Sequence, residues 1–178
     1  MKPYIKQSFF FVISIILIQS SFAQENEDKS IAIETAFDFW IGDWEVHWMN
    51  PDSSYTYGHN LIEKTLDGKV IQENFVDSSS GFKGTSISVY SIADSTWHQS
   101  WADNSGGYFE FFGIIEGEKR MFQTKAIMRS GVMTTQRMVF YNISENSFTW
   151  DWESTQDDGA TWNLAWRIIY ERKQVESQ

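Results

Sequence analysis

The sequence predicts an all-β protein, folded as a single antiparallel up-and-down barrel. About ten short segments between residues 44 and 173 alternate apolar with polar residues, which is the period of a half-buried strand. Nearly every segment carries Trp, Phe or Tyr on one phase, and turn residues separate the segments. Closing such a meander removes the strand edges that would otherwise aggregate. We expect the large aromatic phase to face the interior of the barrel.

The N-terminus has the pattern of a secretory signal peptide over residues 1–23. Lys2 and Lys6 form a basic start, Phe9 to Ile18 form an apolar core, and Ser21-Phe22-Ala23 offers small residues at the cleavage site. A spanning helix needs about 20 apolar residues, more than this core supplies. We therefore expect cleavage after Ala23, export to the periplasm or beyond, and no stable membrane insertion.

Composition excludes several classes of function. Cleavage would leave 12 basic and 24 acidic residues, a net charge of −12, which repels nucleic acid. The chain contains no cysteine, so it has no disulfide, no thiol nucleophile, no thiolate metal site and no lipid-anchored cysteine. The length of the mature chain suits one domain, and the oligomeric state stays open.

The predicted elements follow one another with short connections. Residues 24–31 are polar and charged, and we expect them to be disordered. The barrel domain covers residues 32–173 and is followed by a tail over 174–178. Short turns such as the one containing Asp67-Gly68 imply antiparallel neighbours. The predicted strands are 43–49, 54–66, 69–77, 82–92, 96–102, 107–115, 119–129, 132–143, 147–154 and 161–172.

A short helical turn is predicted before the first strand, over Ala32 to Trp40. It places Phe37, Trp40 and Ile41 on one side, where they could plug one end of the barrel.

The alternation of residues also predicts which side chains of each strand share a face. The aromatic faces predicted from the period of two are Trp44, Val46 and Trp48; Trp97, Gln99 and Trp101; Phe148, Trp150 and Trp152; and Trp162, Leu164, Trp166, Ile168 and Tyr170.

Gly42-Asp43-Trp44 opens the first strand and resembles the opening motif of lipocalin-like (calycin) barrels. The resemblance implies that Trp44 seals the closed end of the barrel. It also implies that an arginine near the end of the last strand, either Arg167 or Arg172, stacks over the indole. A cation over an indole contributes about 0.5–2 kcal/mol. This role is structural, so the motif points to a fold and to no particular ligand.

The resemblance extends over nearly the whole mature chain. Four stretches, 37–46, 70–75, 97–104 and 150–154, are similar to a group of uncharacterised secreted bacterial domains. These domains are related in shape to lipocalins, fatty-acid-binding proteins and the ten-stranded nitrobindins. The resemblance therefore implies a lipocalin-like barrel from a bacterium. It implies no activity, because the group has no established function and a fold does not decide function.

Residues 155–162 match the Asp-box pattern, a β-hairpin in which an aspartate bonds to turn amides and a tryptophan packs beneath. We assign structural roles to Asp157, Gly159 and Trp162 on this basis, with sugar binding as the alternative. The loop lacks the alternating oxygen ligands of a calcium site.

Histidine placement argues against a bound metal or haem. Nitrobindins bind haem through a histidine, but His47, His59 and His98 all lie far from the C-terminal strands. No two of them have a close ligand spacing such as i, i+2. His47 and His98 occupy the phase opposite the tryptophans, which predicts exposure to solvent. We expect no cofactor.

Two arginines are candidates for binding the head group of a ligand. Arg137 and Arg167 lie within apolar strands and could anchor a carboxylate, as arginines do in fatty-acid-binding barrels. The alternative is that they point outward or pair with Glu73 or Glu110, because a charge buried alone costs several kcal/mol.

Other candidates cluster where a strand meets a Gly-rich loop. Gln99, Trp101, Asp103 and Asn104 could line a barrel mouth, with turn capping by Asp103 and Asn104 as the alternative. Glu73 completes the polar set as a possible base. Trp150 and Trp152 would supply contact area.

Three functions are compatible with these observations. The first is an exported barrel that binds a small hydrophobic or amphipathic molecule in its aromatic interior. The second is a cavity enzyme of the isomerase, cyclase or hydrolase type, with Glu73 or Asp103 as base. The sequence supplies no Ser elbow or matched acid–base pair, so it leans away from an enzyme and identifies no catalytic residue. The third is a structural envelope protein whose barrel is filled.

Overall fold

The computed structural model describes residues 33–173. The predicted signal peptide, the segment 24–31 and the tail 174–178 lie outside the described residues. The chain divides into two units after Ala36. In the first, the backbone N–H of Ala36 donates to the carbonyl of Ile33 at 3.2 Å. No helix within 33–173 is long and apolar enough to cross a membrane.

The second unit is a closed antiparallel barrel, as the sequence predicts. Ten strands close in the order β10-β11-β1-β2-β3-β4-β5-β6-β7-β9, with β9 pairing back to β10. A short extra strand, β8, pairs with β9 alone. The strands are β1 Gly42–Met49, β2 Tyr55–Thr65, β3 Val70–Asp77, β4 Lys83–Ser91, β5 Thr96–Asp103, β6 Tyr108–Glu116, β7 Lys119–Gln123, β8 Ile127–Arg129, β9 Val132–Tyr141, β10 Ser147–Thr155 and β11 Asn163–Arg172.

A bulge divides the segment predicted as one strand over 119–129. Gln123 pairs with Arg137, whereas Ile127 pairs with Thr134, so the two sides of the ladder differ by one residue. Thr124 secures the break, because its N–H donates to the carbonyl of Gln136 at 2.9 Å and its Oγ1 accepts from the Gln136 N–H at 3.0 Å. An inserted residue of this kind ends regular pairing and bends the strand.

A second bulge corrects the predicted face of the last strand. Trp152 pairs with Trp166, but the next residue of β10, Glu153, pairs with Leu164. The skipped residue, Ala165, reverses the pleat, since each one-residue shift moves side chains to the opposite face. Leu164 is consequently 48% exposed. The expectation that Trp162 and Leu164 share the inward face of Trp166 is wrong.

A 3₁₀ turn, Asp38–Trp40, plugs one end of the barrel. Phe37 and Trp40 are fully buried. The ring of Phe37 stacks on Phe122 at 4.3 Å between centroids, and Trp40 meets Phe140 edge-on at 5.3 Å. Aromatic pairs in such geometry contribute about 0.5–1.5 kcal/mol beyond their buried area. This end of the interior is therefore filled by side chains.

The plug is tied to the first and last strands. Trp44 is fully buried, and its Nε1 donates to the carbonyl of Trp40 at 2.8 Å. The guanidinium of Arg172 lies 4.2 Å from the centre of the Trp44 ring. Gly42 lies beneath that guanidinium, where a Cβ would overlap Arg172 Nη1. Of the two arginines considered from the sequence, Arg172 is the one that stacks over the indole.

The hairpin between β10 and β11, which contains Asp157, lies at the opposite end of the barrel from the plug. One carboxylate oxygen of Asp157 accepts from the N–H of Thr161 at 2.9 Å and from Thr155 Oγ1 at 2.6 Å; the other accepts from Thr161 Oγ1 at 2.6 Å. The hydroxyl bonds from Thr155 and Thr161, with the backbone bond, lower the pKa of Asp157 to about 2. Gly159 has a φ of +88°, which favours glycine, and lies close to the Trp162 indole.

Candidate binding cavity

The half of the interior away from the plug contains a cavity of about 190 Å³. An engineered apolar cavity of about 150 Å³ binds benzene, so this volume suits one to two rings. Its wall is largely aromatic, because inward positions on six strands and on the loop before β4 carry large side chains. The lining residues are Glu73, Phe75, Phe82, Trp101, Asp103, Phe109, Phe111, Met138, Trp150, Trp152, Trp166, Ile168 and Tyr170.

The aromatic rings of the wall brace one another. Trp150 and Trp152 are neighbours on the inward face of β10, and their ring planes are nearly parallel at 6.3 Å. Trp166 meets Trp150 edge-on at 5.7 Å, and Phe109 meets Trp152 at 5.6 Å. Rings fixed by such contacts lose little freedom when a flat ligand packs on them.

One buried acid, Glu73, lies at the floor of this cavity. It is 5% exposed and occupies the inward phase of β3 between Ile71 and Phe75. Its Oε1 accepts from Asn60 Nδ2 and its Oε2 from Ser86 Oγ, both at 2.7 Å. Within residues 33–173, no Lys, Arg or His forms an ion pair with it.

Burial raises the pKa of Glu73 to about 7, although the hydrogen bonds from Ser86 and Asn60 favour the ionised form. Removing water penalises the carboxylate more than two neutral donors compensate. Glu73 can therefore hold or release a proton near neutral pH. Each carboxylate oxygen also keeps a free lone pair for a further donor.

Glu73 belongs to a network of buried polar side chains joined by hydrogen bonds. Asn60 Nδ2 also donates to the hydroxyl of Tyr170 at 3.1 Å, and Gln99 Nε2 donates to Ser86 Oγ at 3.2 Å and to Ser88 Oγ at 3.0 Å. Burial, and next the charge of Glu73, raise the pKa of Tyr170, despite the bond from Asn60. Tyr170, which lines the cavity, therefore keeps its proton.

Two acceptor atoms in this network of buried polar side chains have no hydrogen-bond donor among residues 33–173. Asn60 Oδ1 and Gln99 Oε1 are buried and have no hydrogen-bond partner among the described residues. A buried acceptor without a donor costs about 1–3 kcal/mol. Neither Asn60 nor Gln99 lines the cavity, so both atoms are unpaired acceptors of the polar network rather than contacts for a molecule in the cavity.

Asp103 lies at the mouth of the cavity and also caps a turn. Its carboxylate accepts from the N–H groups of Ser105 and Gly107, each at 2.9 Å, and from Trp101 Nε1 at 3.2 Å. Burial raises its pKa, but the bonds from Gly107, Trp101 and Ser105 outweigh burial and lower it. Asp103 therefore stays ionised and orients the Trp101 indole.

Asn104 lies outside the cavity lining. Its Oδ1 accepts from the N–H of Lys83 and its Nδ2 donates to the carbonyl of Gly81, both at 2.9 Å. The side chain thus joins the β5–β6 turn to the loop before β4. This is the turn-capping alternative considered from the sequence.

Arg137 and Arg167 are also absent from the lining. Met138 and Trp152 point inward, so the neighbouring Arg137 and its cross-strand partner Glu153 point outward. Arg137 Nε donates to Glu153 at 2.7 Å, and its guanidinium lies 3.7 Å from the ring centre of Trp162. Arg167 donates two bonds to Asp151, each at 2.7 Å. Their partners are thus Glu153 and Asp151, and not Glu73 or Glu110.

The cavity contains functional candidates that the sequence analysis missed. Tyr170, Phe75, Phe82, Phe109 and Phe111 line the cavity, and Asn60 and Ser86 donate hydrogen bonds to Glu73 without lining the cavity themselves. A signal for the polar network exists in the sequence. Asn60, Glu73 and Gln99 each interrupt the apolar phase of a strand, and a polar residue at an inward position needs a partner.

In comparisons with known proteins, no family model matches the chain, and no curated protein matches it. The closed antiparallel barrel has a lipocalin-like (calycin-like) shape.

Proposed function

We propose that the barrel binds a small, mostly aromatic molecule of one to two rings that carries an amine or another hydrogen-bond donor. The observation behind this proposal is Glu73, a buried carboxyl group at the floor of an aromatic cavity that has no cationic partner among residues 33–173. An amine or hydroxyl would satisfy it, whereas a carboxylate ligand would face a like charge. The proposed head group is therefore a donor rather than the acid suggested by the two arginines.

A matched pair of bicyclic probes tests this preference. Near pH 8, we expect 2-naphthylmethylamine to bind more tightly than 2-naphthoate by about tenfold or more, because only the ammonium pairs with ionised Glu73. The Glu73→Gln substitution should weaken binding of the amine and improve binding of the naphthoate. Tryptophan fluorescence titrations measure both. Glu63→Gln, the same change at an exposed position of β2, serves as the control.

The pH dependence supplies a second readout from the same titration. The amine is protonated throughout, so its affinity should rise as Glu73 loses its proton around pH 7. The Glu73→Gln variant should show no such rise. Equal affinity of the wild-type protein and Glu73→Gln for both probes would contradict the proposal.

Acid–base catalysis in the same cavity is the second candidate. A carboxyl group with a pKa of about 7 matches the requirement for a general base at neutral pH, and the Tyr170 hydroxyl could polarise a carbonyl. Deuterium exchange at the α-carbon of 2-tetralone, followed by NMR, distinguishes this candidate. Exchange that depends on Glu73 supports catalysis, and binding without exchange supports a carrier.

Export and family membership complete the proposal. The N-terminal pattern over residues 1–23 supports an exported protein, and the lipocalin-like shape supports the resemblance to the secreted bacterial domains. An acidic mature chain without cysteine suits that location. N-terminal sequencing of the protein from its host, beginning at Gln24, would test the cleavage site.

A further inference from the structure

The ten-strand ladder closes the barrel, but its pairing is interrupted locally between β6 and β8. The β6–β7 ladder ends where Phe112 pairs with Gln123, and residues 108–111 of β6 pair only with β5. Beyond the bulge, β8 pairs only with β9. Two strand edges that have no ladder partner within residues 33–173 therefore face a groove of about 510 Å³.

This groove borders the cavity. Phe109 and Phe111 line both spaces, so the cavity and the groove share these two rings as a common wall. Gln99 also lines the groove, although it is only 2% exposed. Its Oε1 lacks a hydrogen-bond partner within residues 33–173. The groove therefore reaches from the outer surface to Gln99, which belongs to the network of buried polar side chains around Glu73.

A hairpin of residues 127–134 stands beside the groove. Its two strands pair with each other, while the β9–β10 ladder begins only at Thr135. Ser130 and Gly131, both with positive φ, form its turn. A two-stranded hairpin alone is marginally stable. Four of its apolar side chains are exposed: Ile127, Met128, Val132 and Met133.

A cation–π contact joins this hairpin to the opposite side of the groove. The Arg129 guanidinium lies 5.5 Å from the ring centre of Phe109. Ile127 and Arg129 share the inward face of the hairpin, since their partners Thr134 and Val132 continue the inward phase of β9. The bulge at residues 124–126 connects the hairpin to β7 and interrupts the regular strand pairing there.

We propose that the groove is the entrance to the cavity and that the hairpin 127–134 is its lid, held by Arg129 on Phe109. The inference rests on the proposed binding function. Opening requires the hairpin to swing at the bulge and the rings of Phe109 and Phe111 to move apart. On the two sides of the groove, ladder hydrogen bonds join β6 to β5 and β9 to β10, and these bonds oppose a similar opening between those strands.

A reversible cross-link tests the entrance. Glu110→Cys with Lys125→Cys places one thiol on each side of the groove, and the natural chain contains no cysteine that could compete for the cross-linker. Bridging them with a bis-methanethiosulfonate should slow both association and dissociation of 2-naphthylmethylamine by about tenfold or more. The dissociation constant should stay within about twofold, and a reducing agent should restore both rates.

The control carries the same bridge across a wall that is already paired. Gln72→Cys with Ile87→Cys joins exposed cross-strand partners of β3 and β4, and its rates should not change. Arg129→Ala removes the latch without a cross-link and should raise both rates by about threefold.

The outcomes separate the two proposals. Normal binding with unchanged rates in the bridged protein overturns the entrance and leaves the proposed function standing. A bridge that weakens equilibrium binding also overturns the entrance, because the groove would then be a contact surface of the probe. Absence of any binding to the wild-type protein overturns both.

Discussion

Replacing Glu73 with Gln should stabilise the folded protein, relative to wild type, by roughly 3 kcal/mol more near pH 8 than near pH 4. The figure follows from the difference between the ordinary pKa of 4.5 and the folded value of about 7. Each pKa unit corresponds to about 1.4 kcal/mol of free energy.

The sign follows from proton binding. Between the unfolded and folded pKa values of Glu73, the folded state holds more protons than the unfolded state, so its stability falls as pH rises. The loss is complete above about pH 7, where the folded protein carries a buried carboxylate. Glutamine keeps a similar shape and has no charge to bury, so the variant lacks this decline.

Urea denaturation at several pH values measures the difference directly. Glu63→Gln is the matched control, because Glu63 is exposed and the same substitution should give no pH-dependent difference from wild type. A constant difference between wild type and Glu73→Gln across this range would mean that Glu73 titrates normally. That result would remove the buried acid from the argument for ligand recognition.

The fold was predictable because its signal repeats in every strand. Alternation sets which face is buried, and short Gly- and Asp-containing turns allow only antiparallel neighbours. The two bulges were not predictable, because one inserted residue leaves composition and propensity unchanged while it reverses the pleat. The break at Thr124 and the reversal at Ala165 depend on pairing with β9 and β10.

The site was predictable only in part, for a related reason. Trp101, Trp150 and Trp152 line the cavity because they continue an aromatic phase, and Glu73 lines it as a polar residue on an apolar phase. Arginines within apolar strands gave an ambiguous signal, since strand period alone does not reveal which face meets solvent. The partners that hold Arg137 and Arg167 outside, Glu153 and Asp151, lie on a neighbouring strand. Pairing between distant segments decides that question.

The Phe140→Ala substitution should cost about 3–5 kcal/mol of stability, the range measured for deleting a buried phenyl ring. Phe140 is fully buried at the plugged end, where its ring meets Phe37 and Trp40 edge-on and Phe148 at a tilt. The ring contacts leave little room for the neighbours to collapse into the space. Urea denaturation of the variant measures the loss.

Trp152→Ala is the informative counterpart, because Trp152 faces the cavity rather than the filled end. We expect a smaller stability loss of roughly 1–2 kcal/mol, since one side of the indole borders open space. Affinity for 2-naphthylmethylamine should fall by about tenfold or more, because the probe loses a fixed ring to pack on.

The two substitutions together test whether one end of the barrel provides stability and the other end binds the ligand. Phe140→Ala should leave the affinity of the remaining folded protein nearly unchanged, because Phe140 is absent from the cavity lining. Equal stability losses in the two variants would show that the open half is as tightly packed as the plugged half. A packed open half would leave no room for a bicyclic ligand. If Phe140→Ala instead loses more stability and Trp152→Ala loses more affinity, the plugged end contributes most of the stability. The open end then contributes ligand recognition.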